Sequence, residues 1–109
     1  MNLDFVYSVD HIVAPGETEA SYGLDVFLGG KGMNQSVALA KAGAETYHAG
    51  LIGEDGKVFL DACVEHNVNG KHIHIVEGKT GHAIIQRDKT AQNCILLFGG
   101  ANQMLTEEY

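Results

Sequence analysis

Gly29-Gly30-Lys31-Gly32-Met33-Asn34-Gln35 is the stretch on which the reading of this chain turns. The segment before it, about residues 21–28, has the pattern of a strand. The run after it, Ser36-Val37-Ala38-Leu39-Ala40-Lys41-Ala42, is small-residue helix stopped at Gly43. The pattern predicts a strand that enters a glycine turn, and a turn that opens a helix over about residues 33–42. Glycines let the backbone bend sharply and come close to a ligand. A helix start offers unpaired N–H groups and a partial positive charge, which suits hydroxyls, carboxylates or phosphates. Lys31 adds a donor there, and Asn34 adds a donor and an acceptor.

Two phosphate motifs are excluded. A P-loop requires G-x-x-x-x-G-K-[ST], but Gly32 follows Gly30-Lys31 and position 25 is Asp25. A dinucleotide turn requires G-x-G-x-x-G, but the third glycine is replaced by Gln35. The local sequence leaves two readings: a cradle for some other polar ligand, or a tight turn that packs a helix on a sheet.

Around this stretch the periodicity predicts an α/β chain. A strand is expected over Asp4 to Val13, then a turn at Pro15-Gly16-Glu17-Thr18, and a second strand that pairs with the first or joins a separate small sheet. Thr46 to Ile52 has the look of a short buried strand. Strand, glycine turn, helix and this strand together predict a unit of a parallel sheet. The helix at 33–42 is apolar around most of its circumference, which predicts burial. Asp55 is the expected N-cap of a second helix, Val58 to Glu65, which residues 67–70 should stop. Strands follow at His72 to Val76, His82 to Gln86 and Cys94 to Phe98. The last two should form a hairpin across the polar loop 87–93, with apolar faces that something must cover.

The chain has 109 residues, room for one domain at most, and 45% hydrophobic content. Its net charge of −7 argues against a nucleic-acid or anionic membrane partner. No apolar run approaches the roughly 20 residues of a membrane span, and no signal peptide is recognisable. Cys63 and Cys94 form no C-x-x-C; two buried, reduced thiols in a cytoplasmic chain are the expectation. His72 and His74 lie on one strand side without a third ligand at convincing spacing, so no metal site is predicted. A nucleophile arrangement of Cys63, His66 and Asp61 would need geometry that sequence does not supply. Asn2 and Asp4 are two apart on an extended segment and share a face, from which they can present an amide and a carboxylate to vicinal hydroxyls.

The glycine stretch resembles the G-G-K-G-x-N-Q signature of the ribokinase-like (pfkB) carbohydrate kinases. Asn2-Leu3-Asp4 resembles the family's N-x-D, and Pro15-Gly16-Glu17-Thr18 its P-G-E-T. Ala42-Gly43-Ala44 with Gly50-Leu51-Ile52-Gly53-Glu54-Asp55, then Thr80-Gly81 and Gly99-Gly100-Ala101-Asn102, resemble later elements in the same order. Lys57-Val58 departs from the aromatic-glycine pair of many members. The resemblance implies a ribokinase-like α/β sandwich with lid strands at about 4–28 and 82–99 and core elements at about 33–76. It implies sugar contacts at Asn2, Asp4, Gly30, Lys31 and Asn34, with Gly29 shaping the turn and Ile85 and Leu97 as apolar neighbours. It implies ATP and Mg²⁺, with a monovalent cation as a further candidate, and a homodimer through the lid strands. The G-A-G-D-type loop that supplies the family's anion hole and base is not in this sequence, so catalytic and nucleotide-binding residues are expected elsewhere. Both ends resemble cuts: Met1 stands where a central strand should precede Asn2, and Thr106-Glu107-Glu108 resembles a helix start. The expectation is a sugar-binding fragment of a ribose kinase. A fructokinase or nucleoside kinase, and a non-catalytic polyol-binding module, are the alternatives.

Overall fold

The structure, a computed structural model, describes residues 1–107. Its elements run β1 (Asn2–Ser8), β2 (Gly23–Gly29), α1 (Lys31–Lys41), β3 (Thr46–Ile52), α2 (Lys57–Glu65), β4 (Val68–Ile75), β5 (His82–Arg87), β6 (Asn93–Phe98) and a 3-10 helix (Gly100–Met104). Thr106 and Glu107 are not helical, and Glu108 of the expected helix start lies outside the described residues.

Two sheets form. One has the order β2-β1-β5-β6, with β1 antiparallel to β2, parallel to β5, and β5 antiparallel to β6. The other is the parallel pair β3-β4. The parallel unit expected from the glycine stretch is therefore corrected. β2 and β3 belong to different sheets, and the βαβ unit is β3-α2-β4. Periodicity identifies strand, helix and strand, but a strand's partner is fixed by tertiary pairing that a window does not contain.

Both helices end where their sequence dictates. After α1, the N–H of Gly43 bonds Ala40 O and that of Ala44 bonds Leu39 O, with Gly43 at φ 94°. This is a Schellman closure, which needs a left-handed residue. Asn67, at φ 58°, takes the same role after α2. The strand then begins at Val68, so the expected stop over 67–70 shrinks to one residue.

The core joins both layers. Leu3 from β1, Met33 and Ala40 from α1, Ile52 from β3, Phe59, Ala62 and Cys63 from α2, and Val68 and Ile73 from β4 are buried together. Phe59 is fully buried, a contribution of about 2–3 kcal/mol. Only one stripe of α1 is buried, at Met33, Ser36 and Ala40. Leu39 is 48% exposed, against the expectation of all-round burial. The β6 strand, expected to be covered, is exposed along its whole length, and with it Cys94.

β1 ends at Ser8 rather than Val13, where the chain leaves the sheet for a loop held by local hydrogen bonds. Ala14 to Glu17 makes a turn (Glu17 N–H to Ala14 O, 3.0 Å) with Gly16 at φ 81°. Glu17 Oε1 accepts from the Ala14 N–H, and Glu19 Oε1 from the His11 N–H.

Candidate functional site

The glycine stretch is shorter as a turn than its sequence suggests. Gly29 is the last residue of β2, Gly30 is the N-cap, and Lys31 already begins α1. Gly30 has φ 100°, a conformation open to glycine. The first helical bond runs from Asn34 N–H to Gly30 O at 3.1 Å, and no side chain among the described residues caps the helix. The N–H groups of Lys31, Gly32 and Met33 are thus left without intrahelical partners at a helix start.

Pairing brings β1 to this corner. Asn2 stands opposite Gly29, and Asp4 opposite Phe27. A Cβ on Gly29 would overlap the Asp4 carboxylate, lying 2.9 Å from its Cγ. Gly29 is therefore small so that Asp4 can lie across it, not because it shapes the turn. A Cβ on Gly30 would lie 3.3 Å from Met1 Cα, so the turn and the start of β1 are in contact.

Directly paired residues share a sheet face. The register pairs Asp4 with Ala83 and Ala83 with Leu97, and it pairs Val6 with Ile85. Asn2, Asp4, Ile85 and Leu97 hence share one face, the carboxylate flanked by apolar groups. No side chain or backbone N–H within the described residues donates to the Asp4 carboxylate, which leaves four lone-pair sites for an outside donor. Lys31 and Asn34 follow Gly30 on the exposed first turn of α1, their side chains likewise without hydrogen bonds among the described residues. Asn34 also lines a groove of about 180 Å³ with Leu28, Met33, Val37, Lys41 and His66. The structure thus draws Asn2, Asp4, Gly29 and Gly30 into contact, with Lys31 and Asn34 on the turn of α1 that follows Gly30.

Several supports were not singled out from the sequence. Asn102 donates through Nδ2 to Asn2 Oδ1 at 3.0 Å. His48 lies below the start of α1, its Nδ1 2.8 Å from Ser36 Oγ; burial holds its pKa below the ordinary value, and the N-terminal charge adds to that. Thr80 is fully buried: its Oγ1 accepts from Gly53 N–H at 2.8 Å, and its own N–H donates to Asp55 Oδ1 at 2.7 Å. Asp55 is therefore a clamp on Thr80 rather than the N-cap of α2, a place taken by Gly56. Burial pushes its carboxyl up, but the bonds from Thr80 outweigh this and leave it below its ordinary value.

The matching family model, pfkB family carbohydrate kinase, covers residues 1–109. The chain belongs to this family. The ribokinase of Haemophilus influenzae is 39% identical over an alignment of 110 positions that covers 98% of this chain and 36% of that protein. A ribokinase structure from Cryptococcus neoformans in complex with ADP aligns at TM-score 0.85 and 40% identity, over 92% of this chain and 32% of that one. The Arabidopsis thaliana ribokinase complexed with ribose and ATP aligns at TM-score 0.86 and 33% identity, over 93% and 34% respectively. The chain thus spans about a third of the length of the pfkB relatives it matches.

Elsewhere in this pfkB chain, His72 and His74 lie exposed on β4. Among the described residues, the group of side chains whose donor atoms approach as metal ligands would is Asp10, His11 and Glu19, and Lys89 already pairs with Asp10 at 2.8 Å. A depression of about 570 Å³ between Ala44, Tyr47, Cys63, Val64 and Asn69 lies at the amino ends of β3 and β4. Ligand sites in open α/β sheets lie at the carboxyl ends, the side of Gly53 and Thr80. No helix among the described residues is long and apolar enough to cross a membrane.

Proposed function

We propose that this chain is the sugar-binding portion of an ATP-dependent kinase that phosphorylates a hydroxyl of ribose. The observation that carries the reading is the Asp4 carboxylate, laid over Gly29 beside the open start of α1 and bonded to nothing among the described residues. A carboxylate in that position accepts from vicinal hydroxyls and orients a sugar. The N–H groups of α1 and the donors of Lys31 and Asn34 complete a polar wall, while Ile85 and Leu97 offer an apolar one. Ribose is favoured because the H. influenzae, Cryptococcus and Arabidopsis relatives are ribokinases.

In this reading β1, β2, β5 and β6 are the lid, which closes over the sugar and excludes water, and β3, β4 and the helices belong to the core. The exposed β6, with Leu96 and Leu97 about 70% exposed, supports a homodimer built through lid strands. ATP with Mg²⁺, and a monovalent cation as a further candidate, are assigned to residues outside this chain. The part proposed for this chain in the reaction is to bind and orient the sugar. The free thiols Cys63 and Cys94 support a reducing, cytoplasmic setting.

The test is turnover by the complete protein with ATP and a panel of ribose, fructose and nucleosides. Ribose should be the preferred acceptor. Preference for fructose or a nucleoside would overturn the ribose assignment, and sugar binding without any ATP consumption would favour a non-catalytic polyol-binding module.

A further inference from the structure

Asn102 lies about a hundred residues from the sugar wall in sequence and meets it in space. Its Oδ1 accepts from the terminal ammonium of Met1 at 3.2 Å, and its Nδ2 donates both to Met1 O at 2.8 Å and to Asn2 Oδ1 at 3.0 Å. The Met1 carbonyl settles which end of the amide is which, since it only accepts and so must face the Asn102 NH₂; the ammonium, which only donates, agrees. With Asn102 so fixed, the atom it turns toward Asn2 is a donor. Asn2 must answer with its oxygen. Its NH₂ is then left uncommitted on the face that carries Asp4.

The surrounding backbone holds this pair in place. The 3-10 helix is tied to the entry of β5 by Ala101 N–H to Lys79 O at 2.9 Å, and β5 is tied to β1 by Leu3 N–H to Gly81 O at 2.9 Å. Gly100, at φ 53°, fits against that entry, where a Cβ would lie 2.9 Å from Gly81 N. Gly81 leaves the room the amides need: a Cβ there would overlap Asn102 Nδ2 and lie 2.7 Å from Asn2 Oδ1. Thr80-Gly81 and Gly99-Gly100-Ala101-Asn102 are thus two halves of one clip.

We propose that Asn102 is a positioning residue for the sugar site, which holds the Asn2 carboxamide so that it presents its NH₂ as a hydrogen-bond donor to a sugar hydroxyl. The inference rests on the sugar-kinase reading for the identity of the ligand, but not for the orientation of the amide.

Two experiments on the complete protein test it. The first reads the orientation without substrate. In NMR of uniformly ¹⁵N-labelled protein, the Asn102 NH₂ should exchange slowly with water and the Asn2 NH₂ fast, and Asn2→Ala should speed exchange at Asn102. The opposite protection pattern overturns the proposal whatever the substrate is. The second uses Asn102→Asp, whose carboxylate accepts only and would draw the Asn2 NH₂ toward itself. KM for ribose should rise about tenfold, the scale of one misdirected hydrogen bond, with kcat and the KM for ATP nearly unchanged. In an Asn2→Ala background the same substitution should change KM for ribose by less than about twofold. An undiminished effect in that background, or an equal loss in ATP use, would make Asn102 merely structural. Failure of the wild-type protein to use ribose would instead overturn the sugar-kinase reading and leave the NMR result standing.

Discussion

The two ends of β1 are held by different chemistry. At its base, Asp4 lies over Gly29 and Asn2 beside Gly81, neither glycine with room for a side chain; Asn102 bonds the Asn2 amide, and Leu3 N–H bonds Gly81 O. At its tip, the chain leaves Ser8 for a loop of exposed charges: His11 sits 3.2 Å from Asp10, 2.7 Å from Glu17 and 3.4 Å from Glu19, and Lys89 reaches Asp10. Both ends contain a histidine, and their pKa values move in opposite directions. His48 at the base is lowered by burial; His11 at the tip is raised by its bonds to Asp10 and Glu17. Packing does not depend on paired charges, whereas exposed ion pairs are weak and screened. The end proposed to grip a ligand is the one built by packing.

That contrast can be broken most directly at Gly29. A methyl there would occupy the space of the Asp4 carboxylate, so Gly29→Ala should weaken ribose binding by about a hundredfold or more in calorimetric titration, the scale of losing two hydrogen bonds to a charged group. Retained affinity would mean that Asp4 need not lie over Gly29. Next in size is Thr80→Val. It leaves the Gly53 N–H buried without its acceptor and should cost about 1–3 kcal/mol of stability in chemical denaturation.

At the tip, Lys89→Ala should leave the denaturation midpoint close to wild type, since its pair with Asp10 is exposed. The tip should respond to pH instead. His11 is raised above 6.5, so the order it lends is complete below 6.5 and fades as pH climbs through the raised value. Asp10, lowered chiefly by Lys89, and Glu17, lowered chiefly by the Ala14 N–H, act oppositely. Their contribution is present above 3.8 and 4.5 and is lost as pH falls through the lowered values. Hydrogen exchange at the His11 and Ala14 amides, corrected for intrinsic rate, should therefore show greatest protection between these limits. The base should behave with the sign of His48: stability present above 6.5 and lost as pH falls through its lowered value. A loss of order at the base on raising pH would contradict the distinction.

Much of the base was legible in the sequence because glycines, N-x-D and helix formers act locally. The end of α1 ahead of Gly43, the span of β3 and the β5-β6 hairpin follow from short-range pattern, although α1 starts two residues earlier than the pattern predicts. What was missed is long-range. The roles of Gly81 and Asn102 depend on contacts across 79 and 100 residues or more with Asn2, and no window shows them. Asp55 has the residue type of a cap and stands next to a helix, yet Thr80 N–H, 25 positions away, captures it. Gly29 looks like part of a turn, and only the register opposite Asn2 shows that it ends a strand. The β6 surface was expected to be covered because its residues are apolar, a property that gives the cost of exposure but not the identity of a cover.

The central claim is that Asp4 is the group that takes the sugar. The direct measurement is isothermal titration of ribose into the complete protein and into its Asp4→Ala variant, with folding checked by thermal denaturation. The account predicts binding by the wild-type protein and a loss of about a hundredfold or more in the variant. Equal affinity in two equally folded proteins would contradict it.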